Sequence, residues 1–179
     1  MSESIEHLLT EATRARLEQR FGDAKRDLTE AVASTRKSKD QRRLARALAA
    51  LGQIERDLHN DEVALRLYEE AAEIYRGLND TLKFAHALRH VADILREMKR
   101  LPSAATAYAE SLRIYHDHED TQLLDLANAV RGLALLKEAL GANEEARALW
   151  EEAGILYAEV NVESGVAESA RRMVLLQNK

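Results

Sequence analysis

His86, His90 and Asp93 are spaced four and then three residues apart. On a helix that spacing puts two imidazoles and a carboxylate on one face, a donor set able to hold a zinc ion. Leu88, Val91, Ala92 and Leu95 mark an apolar stripe on the opposite side, so the three are expected as solvated polar side chains, with metal binding a minor alternative. His116, His118, Glu119 and Asp120 form a second cluster at a helix end, which helix-end charge and turn chemistry explain. Paired carboxylates recur at Glu69-Glu70, Glu144-Glu145 and Glu151-Glu152. General acid–base catalysis needs a carboxyl whose pKa an apolar pocket has shifted, and these pairs fall on helical faces without one. No phosphate-cradling G-x-x-x-x-G-K-S/T, no G-x-G-x-x-G and no G-x-S-x-G occurs. There is no cysteine, which excludes thiol catalysis, disulfides and cysteine-based zinc sites. The chain is expected to be no enzyme and to need no cofactor.

The 179 residues are enough for one domain, expected over 1–179. The chain is 46% hydrophobic and 32% charged, a balance that folds rather than stays disordered. A net charge of −5 argues against a general nucleic-acid binder, which needs a basic surplus to displace counterions. No run of about 18 apolar residues is present, so no membrane span is expected. Met1 to Thr10 lacks the basic start and apolar core of a signal peptide, and the expected location is cytoplasmic.

Helices must position whatever chemistry there is. One proline and seven glycines leave few breakers, and Ala, Leu, Glu and Arg favour helix nearly everywhere. The chain also repeats itself. Ala45–Asp80, Ala85–Asp120 and Ala127–Asn161 share one layout, at spacings of 40 and 42 residues, with the two extra residues near Gln122–Leu126. A weaker copy covers Ile5–Asp40, and a half copy starts at Ala167. Ala24, Ala64, Ala104 and Ala146 form one column; Leu28, Tyr68, Tyr108 and Trp150 another; Ala31, Ala71, Ser111 and Ala153 a third. Offsets of three and four place each set on one helical face. Six of the eight aromatics lie in two such columns, which identifies them as core packing rather than a platform for nucleic-acid bases. Turns are expected at Phe21-Gly22-Asp23, His59-Asn60-Asp61, Arg100-Leu101-Pro102 and Gly141-Ala142-Asn143, with Gly and Asn in left-handed conformations and Pro102 in the first turn of the next helix. Each unit is a helical hairpin. The repeats fall at about 5–40, 41–80, 81–120 and 121–161, with a terminal helix over 162–178, about nine helices in all.

These columns resemble the tetratricopeptide repeat (TPR): Leu48-x2-Leu51-Gly52, Ala64-x3-Tyr68 and Ala71 follow its pattern. The first-helix Tyr of that pattern is replaced by Glu55, Leu95 and Lys137, and its closing Pro by Arg76, His116 and Ala158. The long period resembles the repeats of kinesin light chains and bacterial regulators. The resemblance implies an all-α, right-handed superhelical solenoid of antiparallel helix pairs. It also implies a protein–protein interaction scaffold, in which the first helix of each pair lines a concave groove that holds peptides. Carried over by column, the groove residues are Arg46, Gln53, Arg56, His86, Arg89, His90, Asp93, Arg96, Asn128, Arg131, Arg171 and Arg172. Arg89, Arg131 and Arg171 would form a ladder across three repeats. Arginine forks suit carboxylates, so the expected ligand is an acidic or extended peptide segment, with Asn128 bonding its backbone through both donor and acceptor. The lysine and asparagine clamp with which some repeats of this family grip acidic chain ends is not reproduced. The alternative is a self-associating module. Met173, Val174 and Leu176 are expected to pack on the fourth pair, and the edge of the terminal helix to offer a surface for a second copy.

Overall fold

The computed structural model describes residues 2–177, which hold nine helices and no strand. They are α1 (Ser2–Leu17), α2 (Phe21–Ser38), α3 (Gln41–Asp57), α4 (Asp61–Gly77), α5 (Thr81–Glu97), α6 (Leu101–Asp117), α7 (Leu123–Ala139), α8 (Asn143–Glu159) and α9 (Glu163–Gln177). Contacts divide the chain into two compact units, one ending at Ala87 and the other beginning at Leu88 within α5. In the first, α1 packs on α2, α2 on α3 and α3 on α4. In the second, α6 packs on α7, α7 on α8 and α8 on α9.

Seven of the eight connections turn on a single residue at positive φ: Gln19, Lys39, His59, Asn79, Lys99, Gly141 and Asn161. Six of these share one hydrogen-bond pattern. The residue after the left-handed one bonds back across the helix end, as in Asn60 N–H to the Glu55 carbonyl at 2.8 Å. The left-handed residue itself bonds one turn in, as in His59 N–H to Arg56 at 2.9 Å. The pattern satisfies carbonyls that a helix end otherwise leaves bare. The expected residues were only partly the ones used: Gly22 lies inside α2, and His59 rather than Asn60 makes its turn. A left-handed non-glycine costs roughly 1–2 kcal/mol, and the closing hydrogen bonds offset it. Pro102 stands in the first turn of α6, as expected. The exception is the link between α6 and α7, residues 118–122, which carries the two additional residues and is closed by Thr121 Oγ1 donating to the Tyr115 carbonyl at 2.7 Å.

The repeat columns are the core. Ala24, Ala64, Ala104 and Ala146 are all fully buried, as are Tyr108 and Trp150, while Tyr68 and Leu28 are nearly so. Two glycines allow rings to lie directly on backbone. A Cβ on Gly52 would stand 2.9 Å from Tyr68 Cδ2, and one on Gly132 only 2.5 Å from Tyr108 Cε1. Glu55, at a position where the TPR pattern has tyrosine, is buried. It is held by Lys25 Nζ at 2.9 Å and by Asn60 Nδ2 at 2.8 Å, so its charge is compensated rather than isolated.

Candidate functional site

The first-helix residues split between the two units. In the first unit, Arg46 is exposed and pairs with Glu6 at 2.7 Å. Gln53 is tied down, donating to Asp57 Oδ1 at 2.8 Å and accepting from the Tyr68 hydroxyl at 3.3 Å. Arg56 and His86 are half-buried.

In the second unit, α5 departs from the solvated face expected for it. Arg89, His90 and Asp93 are all buried, at 8%, 9% and 7% exposure, because the helix is enclosed all round from Arg89 to Leu95. Charged groups survive there by pairing with one another. Arg89 Nη1 donates to Asp93 Oδ2 at 3.0 Å, and its Nη2 lies 2.7 Å from His90 Nε2. The Tyr108 hydroxyl donates to Asp93 Oδ1 at 2.5 Å, and Arg96 Nε reaches the same hydroxyl at 3.4 Å. Burial, followed by the Asp93 charge, pushes the Tyr108 phenol well above the usual tyrosine range. Asp93 is committed to Arg89 and Tyr108, and among the described residues no group of three His, Asp or Glu side chains is arranged to hold a metal ion. In the other histidine cluster, His118 Nδ1 accepts from the Asp120 N–H at 3.3 Å, a turn interaction.

The arginine ladder has unequal rungs. Arg89 is an internal cation. Arg131, on α7, is clamped by Glu168 of α9 through two hydrogen bonds of 2.7 and 3.0 Å, which hold the Glu168 carboxyl below its ordinary range. Arg171 is exposed. Arg172 Nη1 bonds Glu138 Oε2 at 3.1 Å and lies over the Trp150 ring, 5.8 Å from its centroid. Trp150 Nε1 in turn donates to Glu138 Oε1 at 2.6 Å. The Tyr157 hydroxyl donates to Asn128 Oδ1 at 2.8 Å. That bond takes one lone pair of Asn128 Oδ1 and fixes the amide's orientation, with the Nδ2 donors left for a ligand. Tyr108, Trp150 and Tyr157 thus have two jobs: their rings fill the core while their polar ends orient first-helix side chains. Nothing in the sequence flagged the second job, because the register between a ring's tip and the next helix is a packing outcome.

The terminal helix differs from expectation in one detail. Leu176 is buried and Met173 half-buried, but Val174 is 58% exposed, because it falls on the outer side of α9 together with Val166 and Ala170.

One further cluster was not anticipated. A cavity of about 490 Å³ in the first unit is lined by Glu6, Asp40, Arg42, Arg43, Arg46, Tyr75 and Lys83. The basic run Arg42-Arg43 with Arg46 was its only sequence trace.

Helical hairpins define a TPR-like helical-repeat protein, a fold that generally mediates protein–protein interactions. Solved structures agree. A Rap protein complexed with Competence and Sporulation Factor superposes with a TM-score of 0.82 at 15% identity, covering 97% of this chain and 48% of that one. BtubC (BKLC) from P. vanneervenii matches at 0.73 and 17% identity, covering 98% and 82%. The nearly identical TPR-like repeats of a Podosopora anserina kinesin light chain match at 0.75 and 14%, covering 97% and 89%. The chain spans about half the length of the Rap protein. The sequence profile of the soluble NSF attachment protein (SNAP) family matches residues 2–125, and the chain belongs to that family. No curated protein matches the sequence significantly. No helix among the described residues is long and apolar enough to cross a membrane.

Proposed function

We propose that the chain is a binding scaffold, not a catalyst, and that its second unit grips an extended, acidic segment of a partner protein on the face formed by α7 and α9. The observation that carries this reading is the fixed orientation of Asn128. Tyr157 holds its oxygen, which leaves the Nδ2 donors for a backbone carbonyl of the ligand. The exposed Arg171 supplies a fork for a carboxylate, and Arg131, whose Nε and Nη2 are held by Glu168, adds its Nη1 beside it. Preorganised donors lower the entropic cost of gripping an extended chain. A Rap protein has been crystallised with Competence and Sporulation Factor, and the SNAP family takes its description from attachment to another protein. Both agree with a binding role. Arg89 is left out of the contact set, since it is buried with Asp93.

Selection of random peptides on the purified chain tests this. Enrichment of Asp and Glu in the bound pool, with affinity lost at least about tenfold in Asn128→Ala and in Arg131→Ala/Arg171→Ala, is the expected result. A pool without acidic bias, or one insensitive to both variants, refutes it. A second reading is self-association through α9, favoured by Val174 and Leu175, both more than half exposed. A concentration-independent monomer mass in light scattering would dismiss that reading.

A further inference from the structure

The terminal helix departs from a rule that the earlier repeats keep. Ile5, Ala45, Ala85 and Ala127 occupy one repeat column and are all buried, whereas the next member, Ala167, is exposed. Ala12, Gly52, Ala92 and Ala134 are buried in a second column, and its next member, Val174, is more than half exposed. The reason is positional. In the hairpins α1–α2, α3–α4 and α7–α8 the second helix packs on the first, while α9, a first helix by its columns, packs on α8. Val166, Ala167, Ala170 and Val174 share one exposed face of α9. That face has a hollow at one end and a projection at the other. A groove of about 370 Å³ lies at the N-terminal end, lined by Ala158 of α8, Val162 of the turn, and Val166, Ala167 and Ala170. Val174 projects near the C-terminal end, about 12 Å along the axis from Val166.

We propose that this face pairs with that of a second copy of the chain across a two-fold axis at Ala170, the two α9 helices running antiparallel. Antiparallel pairing about Ala170 sets Val174 of each copy against Val166 of the other, so each projection enters the other copy's groove. The small Ala170 lies on the axis and lets the backbones approach closely. The polar ends match as well, since Glu163 then faces Gln177 of the partner subunit, a carboxylate opposite an amide donor. A hollow and a projection in opposite halves of one helix satisfy each other in a closed pair, so the contact stops at a dimer instead of growing into a filament. The second copy thereby covers the columns that a second helix covers in the earlier hairpins. Arg171 stands about 100° round the helix from Ala170, which puts the arginines of both copies on one flank of the seam. Salt screens that repulsion, and the pairing should tighten as ionic strength rises. One helix pair buries less than the roughly 1,200 Å² of a standard interface, so a dissociation constant of about 0.1 mM is expected. The pairing rests on the reading of α9 as a self-association edge and is independent of the peptide-gripping role of α7 and α9.

Sedimentation equilibrium and thiol cross-linking of the full chain test this together. The chain has no cysteine, so an introduced thiol reports on one position only. The mass should rise from monomer to dimer as the concentration approaches about 1 mM. Val174→Glu should weaken the dimer at least about tenfold, with its helical circular dichroism unchanged, while Leu17→Glu, at an exposed leucine of the first unit, should not. Under mild oxidation Ala170→Cys should form a disulfide-linked dimer at least about tenfold faster than Glu151→Cys on α8, because only thiols at the axis come within bonding reach. A dimer that Val174→Glu leaves intact, that links no faster through Ala170→Cys, or that loosens with salt overturns the pairing while leaving self-association standing. Growth beyond the dimer overturns the two-fold. A monomer throughout overturns both the pairing and the self-association it rests on.

Discussion

The Tyr108 hydroxyl on α6 donates to Asp93 Oδ1 on α5 at 2.5 Å, while Arg89 holds the other oxygen of the same carboxylate at 3.0 Å. A buried charge is tolerable in such a place only when its lone pairs are spoken for. Asp93→Ala should therefore destabilise the fold by about 3 kcal/mol or more, because it strands the Arg89 cation. Tyr108→Phe should cost less, about 1.5–2 kcal/mol, since Asp93 keeps its arginine. Urea denaturation of both variants measures the difference, and equal costs would contradict the ion-pair account.

The same phenol predicts an alkaline limit. Its folded-state pKa is raised, so the native state keeps a proton that the unfolded chain releases near pH 10. The stabilisation is complete below that pH and declines as pH rises above it. Stability followed by circular dichroism from pH 9 to 11.5 should fall less steeply in Tyr108→Phe than in the parent. Parallel curves would show that Tyr108 contributes nothing to the decline.

The acid side is governed in part by Glu168. Arg131 holds its carboxyl below the usual range, so the stabilisation is present above about pH 4.5 and is lost as pH falls through the lowered folded value. Glu168 is partly open to solvent, with 22% of its side chain exposed, and the effect is accordingly modest. Arg131→Met should flatten the stability profile below pH 4.5, and an unchanged slope would rule out this linkage.

Gly132 and Gly22 should respond in opposite directions to alanine. At Gly132 a methyl group meets the Tyr108 ring at 2.5 Å and its hydroxyl oxygen at 2.7 Å, so Gly132→Ala should cost about 1–3 kcal/mol by overpacking. At Gly22 nothing lies within 4 Å, and Gly22→Ala should stabilise α2 by about 0.5–1 kcal/mol. Thermal unfolding of the pair reads both signs, and a neutral Gly132→Ala would mean that the ring moves aside freely.

Lys99 turns the chain between α5 and α6 at φ 63°. Lys99→Gly should raise stability by about 0.5–1 kcal/mol, the relief of left-handed strain outweighing the greater entropy of the unfolded chain. Thr106→Gly, in the middle of α6, should show the opposite sign. A destabilised Lys99→Gly would show that the hydrogen-bonded turn, and not the residue type, sets the energy.

Helices, their pairing and the buried columns were legible because they are local or periodic. Offsets of three and four residues place Ala64, Tyr68 and Ala71 on one face whatever lies opposite, and a hairpin that cannot bury that face alone must stack. The sequence alone also determined that thiol chemistry is absent and that Pro102 opens a helix. Only tertiary structure decided which polar first-helix residues face solvent. Arg89, Arg131 and Arg171 occupy one column, yet one is buried with Asp93, one is clamped by Glu168 and one is exposed. A column records position along a helix. Burial and charge pairing depend on which side chains the neighbouring helices bring within about 3 Å. The meeting of Glu6 with Arg43 and Arg46, nearly forty residues apart, is of that kind, because only packing of α1 beside α3 creates it.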